Sequence, residues 1–142
     1  VEIPRRILDY SSLIDDIVNE LRESGDVATD GLVRSSTTEF TGRYMYIRKP
    51  DEFGGLLALH FNAWRKFGRS PLWLNFNHSE FGKAQEATEL LSKTDLYLID
   101  LNSCSSWRGV GTPVYLIPNS GKQEVTENCA NQIRQIANLL RV

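Results

Sequence analysis

Apolar residues change period several times along this 142-residue chain, and each change marks an element. From Ser11 to Glu23, Leu13, Ile14, Ile17, Val18 and Leu21 recur at helical spacing, with Ser11 or Ser12 able to cap the start and Gly25 to end the run. Asp26 to Thr41 is polar and rich in Ser, Thr and Gly, which predicts a loop with at most a short strand. Three alternating runs follow. Gly42–Lys49 sets Arg43, Met45 and Ile47 against Tyr44, Tyr46 and Arg48, and Pro50 breaks it; Leu56–Asn62 sets Leu57, Leu59 and Phe61 against Ala58, His60 and Asn62. Leu72–Phe76 sets Leu72, Leu74 and Phe76 against Trp73 and Asn75. Three strands in succession with short connections predict an antiparallel meander.

Helical spacing returns from Ser79, a capping residue, to Ser92, with Phe81, Ala84, Ala87, Leu90 and Leu91 as its stripe. Asp95–Leu101 is almost continuously apolar and reads as a buried strand, against which Asp100 argues. Asn102–Thr112, containing Gly109-Val110-Gly111, reads as a loop, and Pro113–Ile117 as a strand stopped by Pro118-Asn119-Ser120-Gly121. Val125, Cys129, Ile133, Ile136 and Leu140 mark a terminal helix. The sum is a single α+β domain, with a mainly antiparallel sheet of four to five strands packed by two or three helices.

Composition narrows the class of protein. An apolar fraction of 41% and a charged fraction of 24% are those of an ordinary globular domain, and no run of eighteen apolar residues could span a bilayer, so no membrane partner is expected. A net charge of -2 removes the global basic footprint of most nucleic-acid binders, leaving only a local patch for such a role. Cys104 and Cys129 read as reduced thiols of a cytoplasmic protein, with a single bridge between them as the lesser alternative. The start, Val-Glu-Ile-Pro-Arg-Arg, has neither an initiator Met nor the pattern of a signal peptide, and reads as the edge of a piece cut from something longer.

Motifs for chemistry are missing. His60, His78, Cys104 and Cys129 do not form the close ligand pairs of a zinc site, and no G-x-S-x-G elbow, P-loop or G-x-G-x-x-G is present. No metal, cofactor or catalytic residue is assigned. The collective signal is richer. With the meander strands side by side, the face opposite the core carries Tyr44, Tyr46, Arg48, His60, Asn62, Trp73 and Asn75, and the turn between the second and third strands adds Trp64, Arg65, Lys66 and Arg69. Rings interleaved with cations on a sheet face are what single-stranded nucleic-acid binders use to stack bases. The candidate binding set is therefore Tyr44, Tyr46, Arg48, His60, Trp64, Arg65, Lys66, Arg69 and Trp73, for a nucleic acid or a protein partner. The plainer alternative is that a helix or loop covers this face, the rings then being packing residues with a polar tip. Two further readings stay open: an enzyme whose site forms only in three dimensions, with Asp95 or Asp100 near His60, and a homo-oligomer that buries this face.

The run Trp64-Arg-Lys-Phe-Gly-Arg-Ser-Pro-Leu-Trp-Leu74, followed by a helix, Pro113-Val-Tyr-Leu-Ile-Pro118 and a long terminal helix, resembles the C-terminal part of large bacterial proteins grouped with the PD-(D/E)XK nuclease superfamily. In those proteins a W-x-x-x-G-x-(S/T)-P-L-W-L segment follows a strand. Cleavage there needs an acidic residue and a (D/E)-x-K pair to hold Mg²⁺ and activate water. In this chain the residues two before Lys49, Lys66, Lys83, Lys93 and Lys122 are Ile47, Trp64, Phe81, Leu91 and Ser120, none of them acidic. The resemblance thus implies a non-catalytic recognition or assembly domain of a bacterial nuclease-like or defence-related protein.

Overall fold

The first run of helical periodicity forms α1, Glu2–Glu23, in the computed structural model, which describes residues 2–29, 34–36, 40–47, 53–77, 83–105, 108–118 and 120–140. The helix starts at Glu2, so Ser11 and Ser12 lie within it and neither is its cap. Pro4 falls in the first turn, where no intrahelical N–H bond is lost. Its end is where the sequence puts it. Gly25 adopts φ +82°, the Gly25 N–H donates to the Arg22 carbonyl at 3.1 Å and the Asp26 N–H to the Leu21 carbonyl at 2.9 Å, the paired bonds of a left-handed helix stop.

Among the described residues seven strands make one sheet: β1 (Val27–Ala28), β2 (Arg34–Ser36), β3 (Phe40–Ile47), β4 (Phe53–His60), β5 (Leu72–Asn77), β6 (Ile99–Asp100) and β7 (Gly109–Pro113). Every pairing is antiparallel, in the order β1-β3-β4-β5-β7-β6, and β2 follows β1 along the same outer edge of β3. The α+β class and the β3-β4-β5 meander match the sequence pattern. Seven strands rather than four or five arise because β1 and β2 are pieces of two and three residues, too short to show a period of two. Four α-helices are described rather than two or three, the added one being α2 (Phe61–Phe67), with α3 (Ala84–Ser92) and α4 (Lys122–Leu139) completing the set. None of the described helices is long and apolar enough to cross a membrane.

Three boundaries differ from the pattern, each for a local reason. The second meander strand stops at His60, and Phe61 and Asn62 open α2 instead of ending a strand. Of the apolar run Asp95–Leu101 only Ile99–Asp100 is strand, because the Asp100 carboxylate accepts the Asn102 N–H at 2.9 Å and turns the chain into a 3₁₀ turn, Leu101–Ser103. The strand expected at Pro113–Ile117 lies earlier, in the glycine segment assigned to a loop. Gly109 has φ +128°, a conformation that favours glycine, and a Cβ there would also strike the Phe76 carbonyl; Gly111 is there for close approach, since its Cβ would sit 2.9 Å from Asn75 Oδ1. Ser79 and Phe81, placed at the start of the second predicted helix, lie outside the described residues.

Met45, Ile47, Leu57, Leu59, Leu72, Leu74 and Phe76 point to one sheet face, where α1, α3 and α4 cover them with Ile17, Val18, Ala87, Leu91, Ile133 and Ile136. Each fully buried aliphatic or aromatic side chain there contributes roughly 1.5–3 kcal/mol. Arg43, on that face of β3, reaches Asp15 of α1 at 3.5 Å. The helices are tied to each other by Arg134 of α4, whose guanidinium donates to Asp26 at 2.8 Å, Ser24 at 3.1 Å and Glu20 at 3.5 Å around the stop of α1. The pair is half-buried, so solvent screens it only in part. Arg134→Met keeps the apolar stem and removes these charge-assisted bonds, and should cost about 1–2 kcal/mol of unfolding free energy by urea titration. An unchanged midpoint would show that the cluster does not hold α1 to α4.

Candidate functional site

The chain between β4 and β5 must leave one central strand and enter the next while satisfying its polar groups. His60 ends β4 and caps α2: its backbone is extended, and Nδ1 accepts the Ala63 N–H at 3.1 Å. Its N–H in turn donates to the Pro71 carbonyl at 3.1 Å. The ring is fully buried, and burial lowers its pKa below the ordinary histidine value, with a backbone hydrogen bond opposing in part. A ring held neutral and spending Nδ1 on a helix cap is a structural histidine.

α2 lasts two turns and ends at Gly68, with φ +68°, whose N–H donates to the Trp64 carbonyl at 2.9 Å. The next residue, Arg69, is the one non-glycine residue with positive φ among those described, at +64°. Ser70 then locks the turn to the sheet: its hydroxyl donates to the Val114 carbonyl at 2.7 Å and accepts the Leu72 N–H at 3.2 Å. Trp73 donates from Nε1 to the Ser70 carbonyl at 2.6 Å, and its ring packs on Phe67, with Ala63, Ile99 and Leu101 around it.

The nine predicted binding residues therefore separate. Trp73 and His60 have no exposed surface and do not face solvent, which corrects the open sheet face that the alternation suggested. β4 and β5 are buried along their whole length on both faces. Tyr44 and Tyr46 are half-buried, with Tyr44 packed on Phe40, Leu56 and Ala58. Tyr46 pairs with Gly54, six residues along β4 from His60 and so about 20 Å from the elbow at ~3.3 Å per residue. Arg48, like His78, lies outside the described residues. Trp64, Arg65, Lys66 and Arg69 are exposed and adjacent on the elbow, with Trp64 showing 46% of its surface.

Two residues complete that surface which the sequence did not single out. The Arg69 guanidinium lies 3.6 Å from the centre of the Tyr97 ring and donates to the Tyr115 hydroxyl at 3.4 Å. Lys66 donates to the Ser103 carbonyl at 2.7 Å, tying α2 to the 3₁₀ turn. The registers Trp73↔Pro113 and Ile99↔Gly111 bring these distant segments together, and no spacing in the sequence reports them. Beside Arg69, between the edge of β7 and α4, lies a cleft of about 300 Å³ lined by Tyr97, Thr112, Tyr115, Gln135, Ile136 and Leu139. Its Tyr115 wall is fixed by Gln132 of α4, which accepts the Tyr115 N–H at 2.8 Å and donates to the Tyr115 carbonyl at 2.7 Å.

Other chemistry finds little to work with. Asp95 and Asp100 are both exposed, while His60 is buried and lines neither this cleft nor the groove beside Ser12 and Leu116. Cys104 and Cys129 are not joined in a disulfide, and burial pushes the Cys129 pKa up to about 11. No group of three or more His, Cys, Asp or Glu side chains among the described residues could hold a metal ion. Compared with known proteins, the chain matches no family model, no curated protein and no solved structure.

The cap on α2 has a pH signature. Because the folded-state pKa of His60 is depressed, the unfolded chain takes up the proton first; the neutral ring's contribution is complete above about pH 6.5 and is lost as pH falls through the folded pKa. Denaturant titrations from pH 8 to pH 5 should show unfolding free energy falling with acid, and His60→Asn, which keeps a capping oxygen, should flatten that slope. Parallel slopes in the two proteins would assign the acid sensitivity elsewhere.

Proposed function

We propose that this domain is a non-catalytic recognition module that binds single-stranded nucleic acid through the elbow, with Trp64, Arg65, Lys66 and Arg69 as its contacts and Tyr97 and Tyr115 as their support. The observation that carries the reading is Arg69. Its left-handed backbone is one that Gly adopts freely and Asn more readily than other residues, so the turn by itself does not call for an arginine. Stacked on Tyr97 and bonded to Tyr115, the guanidinium is aimed and held, yet remains exposed.

A phosphate fits a cation presented in this way, and the exposed Trp64 ring one helical turn earlier offers a face on which a base can stack. Local positive charge on an otherwise slightly acidic chain steers a polyanion to this end and repels it elsewhere. The plainer reading, that Arg69 staples the Tyr97 segment to the elbow, accounts for the stacking and leaves Trp64 and Arg65 unexplained. An enzyme built on His60 would need that ring near a carboxylate in an open site, and the ring's burial argues against it. The resemblance of the Trp64–Leu74 segment supports placing the module in a bacterial nuclease-like or defence-related protein, as its recognition rather than its cutting part.

Fluorescence anisotropy with a labelled single-stranded oligonucleotide of ~12 nucleotides tests the reading. Wild type should bind saturably at low salt; Trp64→Ala should weaken binding roughly tenfold, as expected of ~1–3 kcal/mol per stacked base. Arg69→Asn, which keeps the left-handed backbone, should weaken it and lower the salt slope by about one. Melting temperatures should stay close to wild type in both. An oligonucleotide that fails to bind at low salt, or binds the variants equally well, sinks the proposal and leaves a protein partner as the ligand of this surface.

A further inference from the structure

Resting on that reading, we propose that Tyr115 is itself a contact of the bound strand, its hydroxyl and the Arg69 guanidinium acting as a donor pair for the non-bridging oxygens of one backbone phosphate. The two side chains come from residues 46 apart in the chain and meet where the Tyr115 hydroxyl oxygen accepts Arg69 Nη1 at 3.4 Å. A phenol has one proton to give. With its oxygen turned to a cation, that proton is left to donate away from Arg69, and among the described residues no group accepts it.

Arg69 is left with donors as well. A guanidinium carries five N–H groups in one plane; the Tyr97 ring, its centre 3.6 Å from Cζ, covers one flat face, and one N–H goes to Tyr115. The others stay in the plane of an exposed side chain. The pair therefore presents N–H and O–H donors and a positive charge, the complement of an anion that only accepts and carries two oxygens side by side. A phosphodiester is such a group. At 3.4 Å the Arg69–Tyr115 bond is longer than most of its kind, so little is lost when phosphate oxygens take the donors instead.

Tyr115 is placed for this before any ligand arrives. Val114 beside it is fully buried, its N–H donating to the Leu72 carbonyl at 2.8 Å and its carbonyl accepting the Ser70 hydroxyl at 2.7 Å. Successive side chains of an extended segment point to opposite sides, so Tyr115 points outward and shows 43% of its surface. Its own N–H and carbonyl are both taken by Gln132, which also donates to Asn128 Oδ1 at 2.8 Å. A hydroxyl on a ring rooted in this way gives up little freedom on binding.

Anisotropy titrations with the same single-stranded oligonucleotide, run across a salt series, test the pair. Tyr115→Phe keeps the ring and the charge and removes only the hydroxyl. It should bind about tenfold less tightly, with the salt slope and the melting temperature of wild type, whereas Arg69→Asn lowers the slope by about one. In the Arg69→Asn background Tyr115→Phe should still weaken binding about threefold or more, because the hydroxyl bonds the phosphate and not only the guanidinium. A Tyr115→Phe protein that binds as wild type does, or a Tyr115→Phe change that costs nothing once Arg69 is replaced, overturns the contact, returns Tyr115 to a support for Arg69 and spares the elbow reading. A wild-type protein that ignores the oligonucleotide, or takes an acidic peptide in its place, overturns both.

Discussion

A chain that passes between two strands buried on both faces has nowhere to put an unpaired backbone group, and the β4–β5 crossing must solve that problem. It does so with a small set of bonds. His60 caps α2 through its side chain and returns its own N–H to Pro71; Gly68 closes the helix; Ser70 bonds both the entry to β5 and the chain just past β7. The Ser70 carbonyl takes the Trp73 indole, which locks the largest ring of the second core cluster to the same turn. His60, Ser70 and Trp73 are buried, so losing one of their bonds would strand a partner in apolar surroundings at about 1–3 kcal/mol. The two central strands, and through them the order of the whole sheet, depend on this crossing.

The same crossing anchors the exposed surface above it. Trp64, Arg65 and Lys66 stand on a helix too short to be stable alone, so their placement comes from Ala63 and Phe67 below and from the caps at either end. A surface anchored in this way loses little conformational freedom when something binds it. The segment therefore divides: Trp73 and His60 are packing residues, while Trp64, Arg65, Lys66 and Arg69 stay exposed above them.

What could be read from sequence follows from range. The α1 stop at Gly25, the three meander strands and their core faces, the stripes of α3 and α4 and the α+β class are all local patterns, and they appear in the fold. The second face of the sheet was misread because Tyr44, Tyr46, His60 and Trp73 looked like one open surface. A closer cue lay in Leu56, Ala58 and Trp73, apolar residues on the supposedly polar face, since strands covered on both sides lose their alternation. Gly111 is hard to read for a related reason, because a glycine required by close approach looks like a glycine required by a turn. Tyr97 and Tyr115 carried no signal at all; their meeting with Arg69 exists only through the registers of β5, β6 and β7.

Arg69 shows how such a meeting can be paid for locally. A left-handed backbone at a non-glycine residue is strained by itself, by an amount of order 1–3 kcal/mol, and here the preceding Gly68 already supplies one left-handed step of the turn. The stacking on Tyr97 and the bond to Tyr115 return part of that energy, but both tyrosines are exposed or half-buried and each interaction is worth about 1 kcal/mol or less in water. Stability alone therefore gives no clear advantage to arginine over glycine at this position. The guanidinium stands exposed beside a cleft that the same two tyrosines line, and its contacts within the fold do not by themselves account for the strain of its backbone.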